Sequence, residues 1–123
     1  MDPLLAKIEY WILDCVENEY SYLWEIRSVI EQRLVDVDKA KLDEYLCMGL
    51  SSVLTQGYVQ AFAGIDFRGE EQLVPGFSIS TSFIEQHKKA WQAGVEVDQD
   101  IRFLISDTGF EHYRQGCPPE YFS

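Results

Sequence analysis

The stretch 38–62 constrains the fold of this chain most, because it joins a long amphipathic helix to an extended segment. The apolar residues of the helix recur at helical spacing: Leu42, Tyr45, Leu46, Leu50, Val53 and Leu54. Asp38 is a favourable N-cap residue, Gly57 suits the left-handed position after a helix, and Tyr58–Phe62 alternates like a half-buried strand. Gly49 costs helix stability, which a close approach by another helix would explain.

Apolar periodicity predicts the remaining elements on either side of this stretch. They are helices at 3–18, 22–34, 82–93 and 108–115 and a strand at 101–105. Ser82 and Glu85 fit a capping box that would begin the helix at 82–93. The two strands most simply pair antiparallel, and such a ribbon must lie on the helices because it is marginal alone. The predicted fold class is therefore α+β, mainly helical, with one domain over 1–123 and a helix-containing insertion at about 63–100.

Composition limits the class of protein. The chain has 123 residues, which is enough for one domain with a real core. No segment approaches the roughly 18 unbroken apolar residues of a membrane helix. The N-terminus lacks a basic region followed by an apolar one, so a cytoplasmic protein without a membrane segment is expected.

The formal net charge is −11, and it is spread along the chain. Each of the stretches 1–34, 35–57, 58–80 and 81–123 carries more acidic than basic residues. Such a surface repels phosphate backbones and attracts basic proteins. Solubility alone is the other explanation of the charge.

Two motifs resemble the winged helix-turn-helix superfamily. They are LSSVLTQGYV (Leu50–Val59) and FLISDTGFEHY (Phe103–Tyr113). In that family a helix ends in a glycine-aliphatic step into the first wing strand, and the second wing strand ends in a Ser/Thr-Asp-x-Gly-like turn. The resemblance covers about 4–62 and 101–115, and it implies a three-helix core with a two-stranded antiparallel ribbon.

The resemblance also implies DNA binding through the third helix and the wing. The non-core positions of that helix are predicted to be Lys39, Lys41, Asp43, Glu44, Ser51, Ser52 and Gln56. Its lysines are balanced by acids, and Arg68 of the insertion is surrounded by acidic residues. DNA-binding proteins usually place several basic side chains against phosphates. Nucleic acid is therefore not the expected partner, although a DNA-binding transcriptional regulator remains the alternative function.

The sequence shows no motif for catalysis, nucleotide binding or metal binding. His87 and His112 do not have ligand spacing, and no phosphate-binding glycine loop is present. The spacing of Cys15, Cys47 and Cys117 fits no zinc motif, and the first two lie on apolar helix faces. We expect no enzyme activity, no cofactor and no metal, and an enzyme with an unrecognised site is the least favoured alternative.

Aromatic residues are the one positive indication of a binding surface. Candidates for an exposed patch are Tyr20, Tyr22, Trp24, Tyr58, Tyr121 and Phe122. Alternatively, they cover the ribbon and the inserted loop. Trp24 lies off the apolar stripe of its helix, and whole or partial burial is expected for it, with exposure as the alternative.

The acidic and aromatic residues near the first two helices form the predicted partner-binding site. Its members are Asp14, Glu17, Glu19, Tyr20, Tyr22, Trp24 and Glu25. Carboxylates there would replace nucleic-acid phosphates, and aromatics would supply a desolvated centre. The predicted function is an acidic, non-enzymatic module that binds a basic protein partner. Its concrete form is a bacterial immunity protein that neutralises a nuclease-type toxin.

Overall fold

The computed structural model of the protein describes residues 3–17, 21–34, 37–63, 72–74, 79–93 and 101–116. The elements within these ranges are α1 (Pro3–Val16), β1 (Ser21–Tyr22), α2 (Leu23–Arg33), α3 (Lys39–Thr55), β2 (Val59–Ala63), β3 (Gln72–Leu73), α4 (Thr81–Ala93), β4 (Ile101–Ile105) and α5 (Asp107–Gly116). The predicted class, α+β and mainly helical, is confirmed. A single domain over 1–123 stays a prediction. Across the described ranges, no helix has both the length and the apolar character needed to cross a bilayer.

The antiparallel pairing of the two predicted strands is confirmed. Val59 lies opposite Ile105, and Ala61 lies opposite Phe103. Two short strands extend this pair into a sheet with the order β1-β4-β2-β3. Tyr22, predicted as the first residue of a helix, is a strand residue that precedes α2. The pairing of β1 with β4 therefore ties the start of α2 to the sheet.

The core lies between the sheet and the first three helices. α1 packs against α2, α3 and β4, while α4 packs against α2 and α3. The most deeply buried apolar side chains are Ile8, Ile12, Leu13, Ile26, Ile30, Leu46, Leu50, Val53, Ile84 and Phe103. Leu46, Leu50 and Val53 of α3 follow the i, i+4, i+7 pattern, and Ile8/Ile12 and Ile26/Ile30 follow its i, i+4 part.

Gly49 lies where α3 meets α1, as its position in the predicted helix indicated. A Cβ atom added to Gly49 would lie 2.7 Å from Ile8 Cγ2 and 3.0 Å from Ile12 Cδ1. Both isoleucines are fully buried and cannot easily move. The glycine therefore permits the close approach of the two helices.

We expect Gly49→Ala to destabilise the fold in spite of the better helix propensity of alanine. The overlap with Ile8 costs about 1–3 kcal/mol, and the gain in propensity offsets about 1 kcal/mol of this. Urea denaturation followed by circular dichroism measures the free energy of unfolding. Ser51→Ala on the same helix is the control and should change that free energy by less than about 0.5 kcal/mol. A Gly49→Ala variant more stable than the wild type would contradict the close-packing argument.

Both faces of the sheet are covered at β4, one of its two inner strands. Phe103 and its neighbour Arg102 are 0% and 1% exposed. Because successive strand residues point to opposite faces, neither face of β4 is open to solvent at this point. Alternation in the sequence predicted one buried face through Phe103, and the burial of Arg102 was not predicted.

The predicted ends of α3 and the predicted start of α4 can be compared with the structure. α3 starts after Asp38 as predicted, but the Asp38 side chain makes no capping hydrogen bond, and the left-handed Gly57 behind the helix is confirmed with a φ of 77°. The predicted N-cap Ser82 is wrong, because α4 begins at Thr81. Its N-cap is Ser80, whose Oγ accepts a hydrogen bond from Phe83 N at 3.2 Å.

The turn before α5 contacts the end of α3. Ser106 Oγ accepts a hydrogen bond from Gly109 N at 3.0 Å, which caps α5. Ser106 N donates to Tyr58 O at 2.9 Å, and Ser106 Oγ donates to Gly57 O at 2.5 Å. The two sequence motifs, Leu50–Val59 and Phe103–Tyr113, therefore meet in space.

Candidate functional site

The end of α1 and the start of α2 lie side by side. Ser21 is buried, and its Oγ donates a hydrogen bond to Cys15 O at 2.8 Å. This bond satisfies a carbonyl at the end of α1 and holds β1 against it. The chain reversal brings together predicted site residues from both helices. We call the set Asp14, Glu17, Tyr22, Trp24 and Glu25 the acidic junction.

Carboxylates of the acidic junction help to raise the pKa values of two neighbouring groups, the thiol of Cys15 and the hydroxyl of Tyr113. Burial, followed by the charge of Asp14, raises the pKa of the Cys15 thiol from its ordinary value of 9.0 to about 12. Glu25 adds to this effect, and Arg33 opposes it. Partial burial, a hydrogen bond to Asp14 and the charges of Asp14 and Glu17 likewise raise the pKa of Tyr113. Asp14 thus shares one neighbourhood with Glu25 and another with Glu17.

Two carboxylates of the acidic junction also have structural roles. The hydroxyl of Tyr113 donates to Asp14 Oδ1 at 2.6 Å, which fixes α5 to α1. Glu25 Oε1 accepts a hydrogen bond from Tyr22 N at 3.1 Å and so helps to begin α2. A partner would meet these carboxylates already oriented by the fold.

Trp24 is the exposed aromatic residue of the acidic junction. Its side chain is 45% exposed, so the expected whole or partial burial is wrong. The core-facing side of α2 is occupied by Leu23, Ile26 and Ile30, and Trp24 lies on a different side of the helix. Arg33 lies in the last turn of α2, and its guanidinium is 5.4 Å from the ring centroid of a different tryptophan, Trp11. The junction therefore combines one exposed indole with several carboxylates.

Tyr58 is the one aromatic candidate outside the acidic junction that lies among the described residues. Tyr58 is partly buried, and its ring stacks on His112 with centroids 4.4 Å apart. Tyr10 stacks on the same imidazole at 5.2 Å. His112 is therefore a packed histidine. The predicted site residues Glu19 and Tyr20, and the aromatic candidates Tyr121 and Phe122, lie outside the described residues.

The raised pKa of Cys15 predicts an unreactive thiol. At pH 8, a pKa of about 12 leaves far less thiolate than the ordinary value of 9.0. We expect iodoacetamide to modify Cys15 at least about 100-fold more slowly in the native protein than in urea. Mass spectrometry of the modified peptides measures the rate at each cysteine. Equal rates in both states would contradict the burial of this thiol.

The raised pKa of Cys15 also makes the fold less stable at alkaline pH. The unfolded chain releases the Cys15 proton near pH 9, whereas the fold retains it up to about pH 12. The contribution of Cys15 to the free energy of unfolding is therefore present below pH 9 and is lost as the pH rises through this window. Cys15→Ala should reduce this alkaline loss.

A second surface feature lies on the exposed side of α3. It is an open groove of about 640 Å³. We call it the α3 groove, and it is lined mainly by Leu5, Cys47, Met48, Ser51, Thr55 and Thr81. Met48 is 49% exposed and is the large apolar residue within it. The sequence analysis did not single out Met48, although it interrupts a polar stripe of α3.

An acidic depression of about 520 Å³ adjoins this groove, with Glu44 and Thr81 common to both. Asp43, Glu44 and Glu85 line it. Asp43 was predicted as a non-core position, but it is 9% exposed, and its Oδ1 accepts a hydrogen bond from Arg27 Nε at 3.0 Å. The positive charge of Arg27 therefore balances that of Asp43, and Glu44 and Glu85 supply the negative charge at this end.

The remaining polar contacts of the α3 groove lie at its other end. Ser52 donates a hydrogen bond to Glu9, and Gln56 Nε2 donates to Ser52 Oγ at 2.8 Å. Within the described ranges, no group of three or more His, Cys, Asp or Glu side chains is arranged to hold a metal ion.

Comparisons with protein-family models, curated proteins and solved structures produced no match to this chain.

Proposed function

We propose that this chain is an acidic, non-enzymatic protein-binding module that covers a basic protein partner in the cytoplasm. A bacterial immunity protein that neutralises a nuclease-type toxin is the most concrete form of this proposal. Carboxylates of the acidic junction would occupy the cationic site where the toxin binds nucleic-acid phosphates. They would also steer its diffusional approach.

One observation carries the proposal: the indole of Trp24 is 45% exposed in the acidic junction. An exposed tryptophan keeps a large apolar surface in contact with water, and burial of this surface by a partner is favourable. Tryptophan is also among the residues that most often dominate binding energy at interfaces. Glu25 follows Trp24 directly in α2, and the charges of Asp14 and Glu25 both help to raise the pKa of Cys15, so carboxylates accompany the indole for an arginine- or lysine-rich partner. The net charge of −11 acts in the same direction at longer range.

The direct experiment is affinity capture from the source cell with tagged wild-type protein and a Trp24→Ser variant. We expect the wild type to recover a basic protein, and Trp24→Ser to lower the recovery at least about tenfold because the apolar centre of the interface is lost. Mass spectrometry identifies and quantifies the captured protein.

Phe110→Ser is the matched control for this capture. Phe110 is also an exposed aromatic residue, at 37% exposure, but it lies on α5. Its replacement leaves the net charge unchanged and should preserve the recovery. Capture of no basic protein, or equal losses with both variants, would refute the proposed function.

The winged-helix relationship is also part of the proposal. Its support is the order of three helices followed by the antiparallel strands β2 and β4, and the contact between Gly57 and the Ser106 turn. The exposed side of α3, which would face DNA in such a domain, carries Glu44 and Met48, and the charge of Glu44 balances that of the exposed Lys41. Apolar and acidic groups at this position favour a protein partner over the phosphate backbone.

A titration of duplex DNA tests the alternative function, a winged-helix transcriptional regulator. We expect fluorescence anisotropy of a labelled 20-base-pair duplex to stay flat in about 20 mM salt, where charge attraction is strongest. The basic protein recovered by capture, or a histone as a cationic reference, should bind under the same conditions. Salt-dependent DNA binding would favour the regulator.

A further inference from the structure

The α3 groove is a second surface, at a distance from the acidic junction. Leu5, which lines the groove, lies in the first turn of α1, whereas Asp14 lies in the last turn. Asp14 follows Leu5 by nine positions, which corresponds to about 13 Å along the helix axis. The acidic junction therefore does not account for this groove.

We propose that the α3 groove binds an amphipathic helix of a partner protein, with apolar residues against Met48 and basic residues against Glu44 and Glu85. The length of the groove supports a helical occupant. The lining residues run from Glu44 to Gln56, which corresponds to about 18 Å of α3, or three turns of a bound helix.

The secondary structure around the groove excludes strand addition. Its described lining comes from α1, from α3 with its C-cap, and from α4, so no sheet edge with open backbone groups faces it. An extended peptide gains affinity from such an edge, whereas an amphipathic helix uses an apolar groove between helices. Because the groove is open, it would leave much of a small ligand in solvent.

The charges around the groove favour a partner with positive charge. Glu44 and Glu85 are exposed, and Glu9 lies at the other end through its hydrogen bond with Ser52. Of the charged residues in this region, Glu44 is among the described residues that line the groove and Glu85 lines the adjoining depression, whereas Lys41 and Lys89 are exposed on α3 and α4 and line neither. A helix with lysine or arginine beside its apolar stripe complements this pattern, while a second copy of a chain with net charge −11 does not.

The test uses a synthetic 18-residue peptide with leucines on one helical face and lysines and arginines on the other. A peptide of the same composition in scrambled order is its control. In ¹⁵N-HSQC titrations of the full chain, we expect shifts at residues 44–56 and 81–86 with the patterned peptide. The scrambled peptide should bind at least about tenfold more weakly, because its apolar side chains do not form one face.

Variants separate this groove from the rest of the surface. Met48→Gln should weaken binding about tenfold, since it removes an apolar contact without changing the charge. Phe110→Gln makes a matched change on α5 and should alter the affinity less than about twofold. Glu44→Gln with Glu85→Gln should flatten the salt dependence of binding.

Several results would overturn the inference. Equal affinity for the scrambled peptide would mean charge attraction alone, and shifts confined to residues 14–25 would place binding at the acidic junction instead. Self-association of the unliganded chain through residues 44–56 would make a second copy the occupant. The inference does not depend on the proposed function, because loss of capture with Trp24→Ser and loss of peptide binding with Met48→Gln are measured separately.

Discussion

Gly109→Ala should destabilise the protein by at least about 3 kcal/mol, because the new methyl group has no space. A Cβ atom at this position would lie 2.0 Å from Tyr58 O and 2.7 Å from Tyr58 C. These are backbone atoms, so no side-chain rotation relieves the overlap. Tyr58 O also accepts the hydrogen bond from Ser106 N, and displacement of α5 would break it. Urea denaturation followed by circular dichroism measures the loss.

Two neighbouring substitutions calibrate the Gly109 result. Thr108→Ala changes an exposed residue of the same helix turn and should stay within about 0.5 kcal/mol of the wild type. Gly57→Ala places a methyl group in open space but at a φ of 77°, and it should cost about 1–2 kcal/mol. A loss for Gly109→Ala no larger than that for Gly57→Ala would contradict the close contact between α5 and Tyr58.

Arg27→Met should cost about 3–5 kcal/mol, because it leaves the buried carboxylate of Asp43 without its partner. Arg27 and Asp43 are each 9% exposed, and the 3.0 Å bond between Arg27 Nε and Asp43 Oδ1 joins α2 to α3. Methionine keeps the apolar stem of the side chain, so the loss reports mainly the charge. Thermal and urea denaturation of the purified variant measure it.

The double variant Arg27→Met with Asp43→Leu separates the cost of an orphaned charge from the value of the pair. It should recover most of the stability, since apolar residues can replace a buried ion pair at little cost. Within the described ranges, Arg27 Nη2 has no hydrogen-bond partner, and the double variant removes this cost as well. Glu31→Ala removes the exposed carboxylate 3.0 Å from Arg27 Nη1 and should cost less than about 1 kcal/mol. Equal losses for Glu31→Ala and Arg27→Met would contradict the account.

The elements that periodicity and glycine chemistry define were predictable from the sequence. The pairing of the strands at 58–62 and 101–105, the left-handed Gly57 and the close approach at Gly49 depend on local patterns or on the shape of one residue. The N-cap of α4 was not predictable in the same way. Ser80, Thr81 and Ser82 all have a side-chain oxygen suited to capping, and the packing of α4 on α2 and α3 decides between them.

The candidate surfaces were predictable only in part. The acids of the acidic junction follow from the sequence order of α1 and α2, which a short connection must bring together. The burial of Asp43 depends on Arg27, and no local pattern links these two residues. The α3 groove combines side chains of α1, α3 and α4, so its shape exists only after the helices pack. Met48 was the one available signal, as an apolar residue off the core stripe.

The association rate of the captured basic protein tests the central claim most directly. Stopped-flow fluorescence of Trp24 and its neighbours would follow binding from about 20 to 500 mM NaCl, a range over which screening of exposed charges becomes nearly complete. We predict a rate constant that falls at least about tenfold, and a weaker salt dependence for Glu17→Gln. A rate constant independent of salt, with no effect of Glu17→Gln, would contradict the claim that the acidic surface recruits a basic protein.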